Sequence, residues 1–97
     1  MSFKNNLLYQ VKSYIDKPEN VIDESIRNNC TDVESLSERQ LADLCAIRRN
    51  TLGIARRFPY SYDELELIIE TIDSNPESSF AKLRDAIRQI EFILEER

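Results

Sequence analysis

The sequence has no His, no Trp and two Cys, at positions 30 and 45, among its 97 residues. Without His, a histidine-based catalyst is excluded, and neither thiol has an imidazole to activate it as a nucleophile. Two cysteines without a histidine are also too few for a zinc finger or a disulfide scaffold. We therefore expect a protein that is not an enzyme and that holds neither a metal ion nor a cofactor.

The chain also has little Gly and Pro, with one Gly and three Pro in total. These residues supply most of the turn chemistry that β-hairpins need, so their scarcity favours an all-α fold. No apolar run reaches the length of a signal-peptide core or of a membrane span, and the N-terminus is polar. We expect a cytoplasmic protein that does not bind membranes, with cysteines that act as small buried hydrophobes.

Size and charge limit the architecture further. A chain of 97 residues that is 41% apolar is too short to build two independent cores, so residues 1–97 are predicted to form one domain. The formal net charge is −5. Charged residues are spread over periodic segments, which is typical of a folded domain.

Apolar residues recur at helical spacing in five segments. The first helix is expected over 3–16, where Pro18 ends it, and a second over about 18–28. A third is expected from about 38, a fourth from Ser61 to about 73, and a fifth after Asn75 and Pro76. The predicted core comprises Leu7, Val11, Ile22, Ile26, Leu41, Leu44, Cys45, Ile47, Leu52, Leu65, Ile68, Ile69, Ile72, Phe80, Leu83, Ile87 and Ile90.

Three segments have the sequence of a capping box, in which a Ser or Thr hydroxyl and a later Glu or Gln satisfy free backbone donors. They begin at Thr31, Ser37 and Ser61. The first two lie six residues apart, which predicts one short turn followed by the third helix. The apolar face predicted for the fourth helix includes Tyr62.

The third segment, 38–57, places Arg48 inside its apolar half when it is wound as one helix. Burying an unpaired guanidinium costs several kcal/mol. Either Arg48 meets a carboxylate, or the helix breaks near Ala46 and Ile47 and turns Arg48 outward.

A Leu-Ala pair in this segment is followed, four positions after the Ala, by a small residue and then directly by an aliphatic one. A further aliphatic residue lies five positions on. This order resembles the helix-turn-helix of phage-repressor-like DNA-binding domains, and the capped segment after Pro59 is similar to their fourth helix. The resemblance covers about 36–73 and rests on Leu41, Ala42, Ala46, Ile47, Thr51, Leu52 and the run from Pro59 to Leu65.

The resemblance implies a DNA-binding transcriptional regulator whose second helix, about 49–57, enters the major groove. Arg48, Arg49 and Asn50 would read bases, and Arg56 and Arg57 would hold phosphates. The partner would be duplex DNA.

Local charge is compatible with DNA binding. Residues 37–57 hold five Arg against Glu38 and Asp43, a net charge of +3, whereas 1–36 carry −2 and 58–97 carry −6. The basic residues are therefore concentrated in the third helix.

An acidic segment supports an alternative from another class. Proteins that inhibit basic targets, such as immunity proteins or antitoxins that cap a nuclease, use carboxylates to mimic phosphates and tyrosines as buried anchors. This alternative predicts a basic protein partner, such as a toxin. The residues that would bind it are Tyr60, Tyr62, Asp63, Glu64, Glu66 and Glu70.

The C-terminal helix has more apolar surface than the core of one molecule needs. Phe92 and Ile93 lie beside the seam of three- and four-residue steps that runs from Phe80 to Leu94. A homodimer through this helix is therefore a further prediction.

Overall fold

The computed structural model describes residues 2–30, 32–74 and 80–97. Within these ranges the chain forms five α-helices and one short 3-10 turn, and no strand. The all-α prediction is confirmed. The helices are α1 (Phe3–Asp16), α2 (Val21–Asn29), α3 (Glu38–Arg57), α4 (Tyr62–Ser74) and α5 (Phe80–Glu95), with the turn at Val33–Ser35.

The start of α2 differs from the expected position. The helix begins at Val21, three residues later than predicted from Pro18, because Asn20 is its N-cap. The Asn20 side-chain oxygen accepts a hydrogen bond of 2.9 Å from the backbone N–H of Asp23. This bond satisfies a donor that the first turn leaves free, so the cap and not the proline sets the boundary.

The capping box at the start of α3 is confirmed. The Ser37 hydroxyl accepts from the backbone N–H of Gln40 at 3.2 Å, and the Gln40 side chain accepts from the backbone N–H of Ser37 at 2.8 Å. Thr31 and the cap at Asn75 and Pro76 lie outside the described residues.

Helix α3 is central to the packing and contacts each of the other four helices. It lies against α5 and α1 most extensively, while α4 packs chiefly on α2. The core residues that these helices share are Leu7, Val11, Tyr14, Ile15, Ile22, Ile26, Cys30, Leu36, Leu41, Leu44, Ile47, Ile54, Ile68, Ile72, Phe80, Leu83, Ile87 and Leu94.

Most of the predicted core is confirmed, with two kinds of difference. Tyr62 lies on the solvent side of α4, so the prediction that it belongs to the apolar face is wrong. Its neighbours on that side are charged, and the buried stripe passes through Ile68 and Ile72 instead. Five predicted core residues are only half-buried: Cys45, Leu52, Leu65, Ile69 and Ile90.

The core also contains charged groups. Asp43 of α3 is buried and forms an ion pair with Arg84 of α5. A buried carboxylate without a partner would be strongly unfavourable, so this pair fixes the position of α5 along α3.

The radius of gyration, 13.1 Å, matches the roughly 13 Å of a compact domain of this size. None of the helices in the described ranges combines the length and apolar character that crossing a membrane requires.

Replacing Ser37 by Ala removes the acceptor of the α3 cap. We expect the free energy of unfolding to fall by about 1 kcal/mol, as for other N-cap serines. Urea denaturation followed by circular dichroism measures the change. Ser37→Asp keeps an acceptor at the cap and is expected to retain stability; an equal loss in both variants would contradict the role of the cap.

Candidate functional site

Residues 38–57 form one continuous helix, so the alternative of a break near Ala46 and Ile47 does not apply. Both residues are buried within the helix, and no turn divides it into two shorter helices. Ala is the best helix former, and its presence where a turn would need Gly favours continuation. The first of the two alternatives for Arg48 therefore applies, namely a carboxylate partner.

That carboxylate belongs to Asp23 of α2, which is completely buried. Arg48 donates from Nε to Oδ1 at 2.6 Å and from Nη2 to Oδ2 at 3.3 Å, which gives a two-point contact. The guanidinium also lies over the ring of Tyr14 in α1, 4.8 Å from its centroid. The hydrogen bond to Asp23 raises the pKa of Arg48 above its ordinary value. Arg48 is thus a structural residue that links three helices.

Two other residues predicted to bind DNA are also engaged or turned inward. Arg57 forms ion pairs with Glu91 at 3.1 Å and Glu95 at 2.9 Å, both on α5. Asn50 is half-buried, and its side-chain nitrogen is buried without a hydrogen-bond partner in the described residues. The Asn50 amide is therefore not placed to read the edge of a base.

Arg49 and Arg56 are the members of the predicted DNA-binding set that remain available. Both side chains are exposed, and neither forms an ion pair within the described residues. They lie seven residues apart on the side of α3 that faces α1, where an open cavity of about 510 Å³ is lined by side chains of both helices. We call this cavity the basic cleft.

The cleft borders two groups whose protonation is controlled by burial. The Tyr14 hydroxyl and the half-buried Cys45 thiol lie side by side between α1 and α3. Burial raises the pKa of both groups above their ordinary values. A thiol that stays protonated at neutral pH is a poor nucleophile, so Cys45 contributes shape and not reactivity.

The alternative site, on α4, is solvent-exposed along one side of the helix. At 100° per residue, the exposed positions fall within an arc of about 140°. The buried Ile68 and Ile72 occupy the opposite side. Together with Tyr60 in the preceding loop we call these residues the acidic face: Tyr60, Tyr62, Asp63, Glu66, Leu67 and Glu70.

The acidic face combines carboxylates with large apolar groups. Tyr60 is 89% exposed, Tyr62 70% and Leu67 52%. Leu67 was not among the predicted site residues, although its position one turn after Asp63 placed it on the charged side of the helix. Of these exposed groups, tyrosine is the type that is enriched at protein-binding surfaces.

Glu64, which was predicted to belong to this surface, is used within the molecule. Its Oε1 lies 2.5 Å from Nη1 of Arg97. A hydrogen bond from its own backbone N–H, followed by the contact with Arg97, lowers the pKa of the Glu64 carboxyl. This residue ties the start of α4 to the end of the chain.

The end of α5 also exposes apolar groups. Phe92 and Ile93 are 62% and 56% exposed. They supply surface for the predicted homodimer, which stays a prediction.

Comparison with family models, with curated proteins and with solved structures gives no match to this chain.

Replacing Arg48 by Ala leaves the buried Asp23 carboxylate without its partner. We expect a loss of about 3 kcal/mol in the free energy of unfolding, measured by urea denaturation. Arg49→Ala, one residue along the same helix but exposed, is the matched control and is expected to change stability by less than about 0.5 kcal/mol. The double variant Asp23→Leu with Arg48→Met should recover much of the loss, because it buries no charge. Similar effects of the two Ala variants would contradict a structural role for Arg48.

The raised pKa of Tyr14 predicts a decline of stability in alkali. In the unfolded chain this phenol ionises near its ordinary pKa of about 10, whereas burial keeps it protonated in the folded state. The contribution is fully present below pH 10 and is lost as the pH rises further. Urea denaturation measures the free energy of unfolding at pH 8 and at pH 11. The fall in this free energy between the two pH values should be smaller for Tyr14→Phe than for the unmodified protein. Replacing the exposed Tyr9 by Phe is the control and should leave the loss unchanged.

Proposed function

We propose that this chain is a non-enzymatic protein-binding module of the inhibitor or immunity-protein kind. It binds a basic surface of a cytoplasmic protein partner through the acidic face and neutralises that partner. The observation that carries the proposal is the exposure of Tyr60, Tyr62 and Leu67 between the carboxylates of α4.

The exposed apolar groups argue for a partner that excludes water from this surface. Tyrosine is enriched among the residues that dominate binding energy, because its ring buries a large area and its hydroxyl keeps a polar contact. Two tyrosines and Leu67, exposed on one short segment, are more apolar surface than the core of α4 requires, since Ile68 and Ile72 already anchor the helix.

The carboxylates argue for a partner of positive charge. Asp63, Glu66 and Glu70 are exposed and form no ion pair within the described residues, in contrast to Glu64. Together with the net charge of −5, they attract a basic protein over a distance and increase its association rate. A nuclease, whose substrate-binding surface accepts phosphates, is a partner of the required chemistry.

DNA binding is a second candidate, favoured by one observation. The exposed guanidinium groups of Arg49 and Arg56 are free to contact phosphates, which are bound without regard to sequence. Arg48, Asn50 and Arg57 are engaged or buried, so the set that remains is smaller than the set the sequence predicted.

The test of the proposed function is charge reversal on the acidic face. The basic partner is captured from lysate and identified by mass spectrometry. The variant Glu66→Lys with Glu70→Lys should bind this partner at least about tenfold more weakly, because electrostatic attraction becomes repulsion. Affinity is measured by surface plasmon resonance at two salt concentrations, and binding of the unmodified protein should weaken as salt rises.

The matched control reverses two exposed carboxylates elsewhere. Asp16→Lys with Glu96→Lys changes the net charge equally but lies at the ends of α1 and α5, outside the acidic face. Equal weakening by both double variants would reject the assignment of the surface. Retardation of duplex DNA at low salt that Arg49→Ala and Arg56→Ala abolish would favour the second candidate.

A further inference from the structure

The basic cleft between α1 and α3 is separate from the acidic face and is not explained by the packing of the core. Its α3 side runs from Cys45 to Arg56, and Gln10, Ser13 and Tyr14 close it on the α1 side. Its volume of about 510 Å³ lies within the range of small-molecule sites.

The charge of the cleft is opposite to that of the molecule. Guanidinium groups of Arg48, Arg49 and Arg56 line it, and no carboxylate does so among the described residues. The charge of Arg48 is balanced by Asp23 behind it, whereas Arg49 and Arg56 have no anionic partner in the described part of the chain. An unbalanced positive cleft in a protein of net charge −5 is a place where an anion is attracted locally.

The floor of the cleft is formed by Gly53, the one glycine of the whole sequence. It lies inside a helix of 20 residues, where glycine is unfavourable relative to alanine. A Cβ built at this position meets no atom within 4 Å, and the backbone has no positive φ, so neither packing nor conformation requires glycine here. The absence of a side chain at Gly53 leaves the cleft open.

The wall of the cleft holds a polar group that lacks a partner. The Tyr14 hydroxyl is buried and makes no hydrogen bond of good geometry within the described residues, although the Cys45 sulfur, a weak acceptor, lies beside it. Buried hydroxyls are normally satisfied. The oxygen is closed off from solvent, so it forms part of the cleft wall and is out of reach of a bound molecule.

We propose that the basic cleft binds a small molecule that carries an oxyanion, a phosphate or a carboxylate, on an apolar or aromatic body. Arg49 and Arg56 hold the oxyanion, because the planar guanidinium donates two parallel hydrogen bonds to such groups. The body lies over Gly53 and against the half-buried Leu52.

The test uses three probes in isothermal titration calorimetry: inorganic phosphate, phenyl phosphate and benzoate. We expect phenyl phosphate or benzoate to bind with a dissociation constant of about 1 mM or lower, and more tightly than inorganic phosphate, which has no body to contact Leu52. Tighter binding of phenyl phosphate than of benzoate assigns the oxyanion as a phosphate, and the reverse order assigns it as a carboxylate.

Two variants locate the binding. Arg49→Gln with Arg56→Gln should weaken the tighter probe by about tenfold or more, since both charge-assisted contacts are lost. Gly53→Leu fills the cleft without changing its charge and should abolish binding. Thermal melting checks that this variant is folded, and we expect it to melt no lower than the unmodified protein because glycine is replaced by a helix former.

The matched control is Arg39→Gln with Arg88→Gln, which removes two exposed guanidinium groups outside the cleft. It should bind as the unmodified protein does. The proposal is overturned if no probe binds at about 10 mM, if the control weakens binding as much as the cleft variant, or if folded Gly53→Leu binds normally. Because the acidic face takes no part, these outcomes are independent of whether a basic protein partner exists.

Discussion

The carboxylate of Asp23 is buried completely, and much of the structure follows from the need to balance it. An isolated ionised carboxyl in the interior would cost several kcal/mol, so a cation must reach it. Arg48 does so from α3, and its guanidinium also lies over the ring of Tyr14 in α1. One ion pair thus fixes three helices relative to one another. It also removes from the surface the arginine that a DNA-reading helix would have used first.

Ion pairs within the fold also determine which other charged side chains are free to bind a partner. Arg57 of α3 pairs with Glu91 and Glu95 of α5, and Arg84 of α5 pairs with Asp43 of α3. These guanidinium groups are therefore not available to an external partner. Of the residues predicted to bind a partner, those that remain outside are the acidic surface on α4 and the guanidinium groups of Arg49 and Arg56 beside the basic cleft. Formal charge per segment therefore overstated how basic the exposed part of α3 is. The charge available for binding is set by which ion pairs the fold forms.

Sequence reasoning predicted the features that depend on local signals. Most helix bounds and the cap at Ser37 follow from residues within one or two turns. The start of α2 was misplaced because Asn20 and not Pro18 decides it. It also predicted that Arg48 needs either a carboxylate or a break in the helix. The choice between these required the tertiary structure, because Asp23 lies 25 residues away on another helix.

The candidate sites were predictable only in part, because composition is local but the exposure of each side chain depends on tertiary packing. Tyr60 and the carboxylates of α4 follow from composition, but the outward position of Tyr62 depends on which stripe of α4 meets α2.

The central position of α3 also bears on how the chain folds and opens. Every other helix of the described residues packs against it, so unfolding of α3 would expose core residues of all the others. We expect its amides around Ile47 and Ile54 to be among the slowest of the fold to exchange with solvent, because both residues are completely buried.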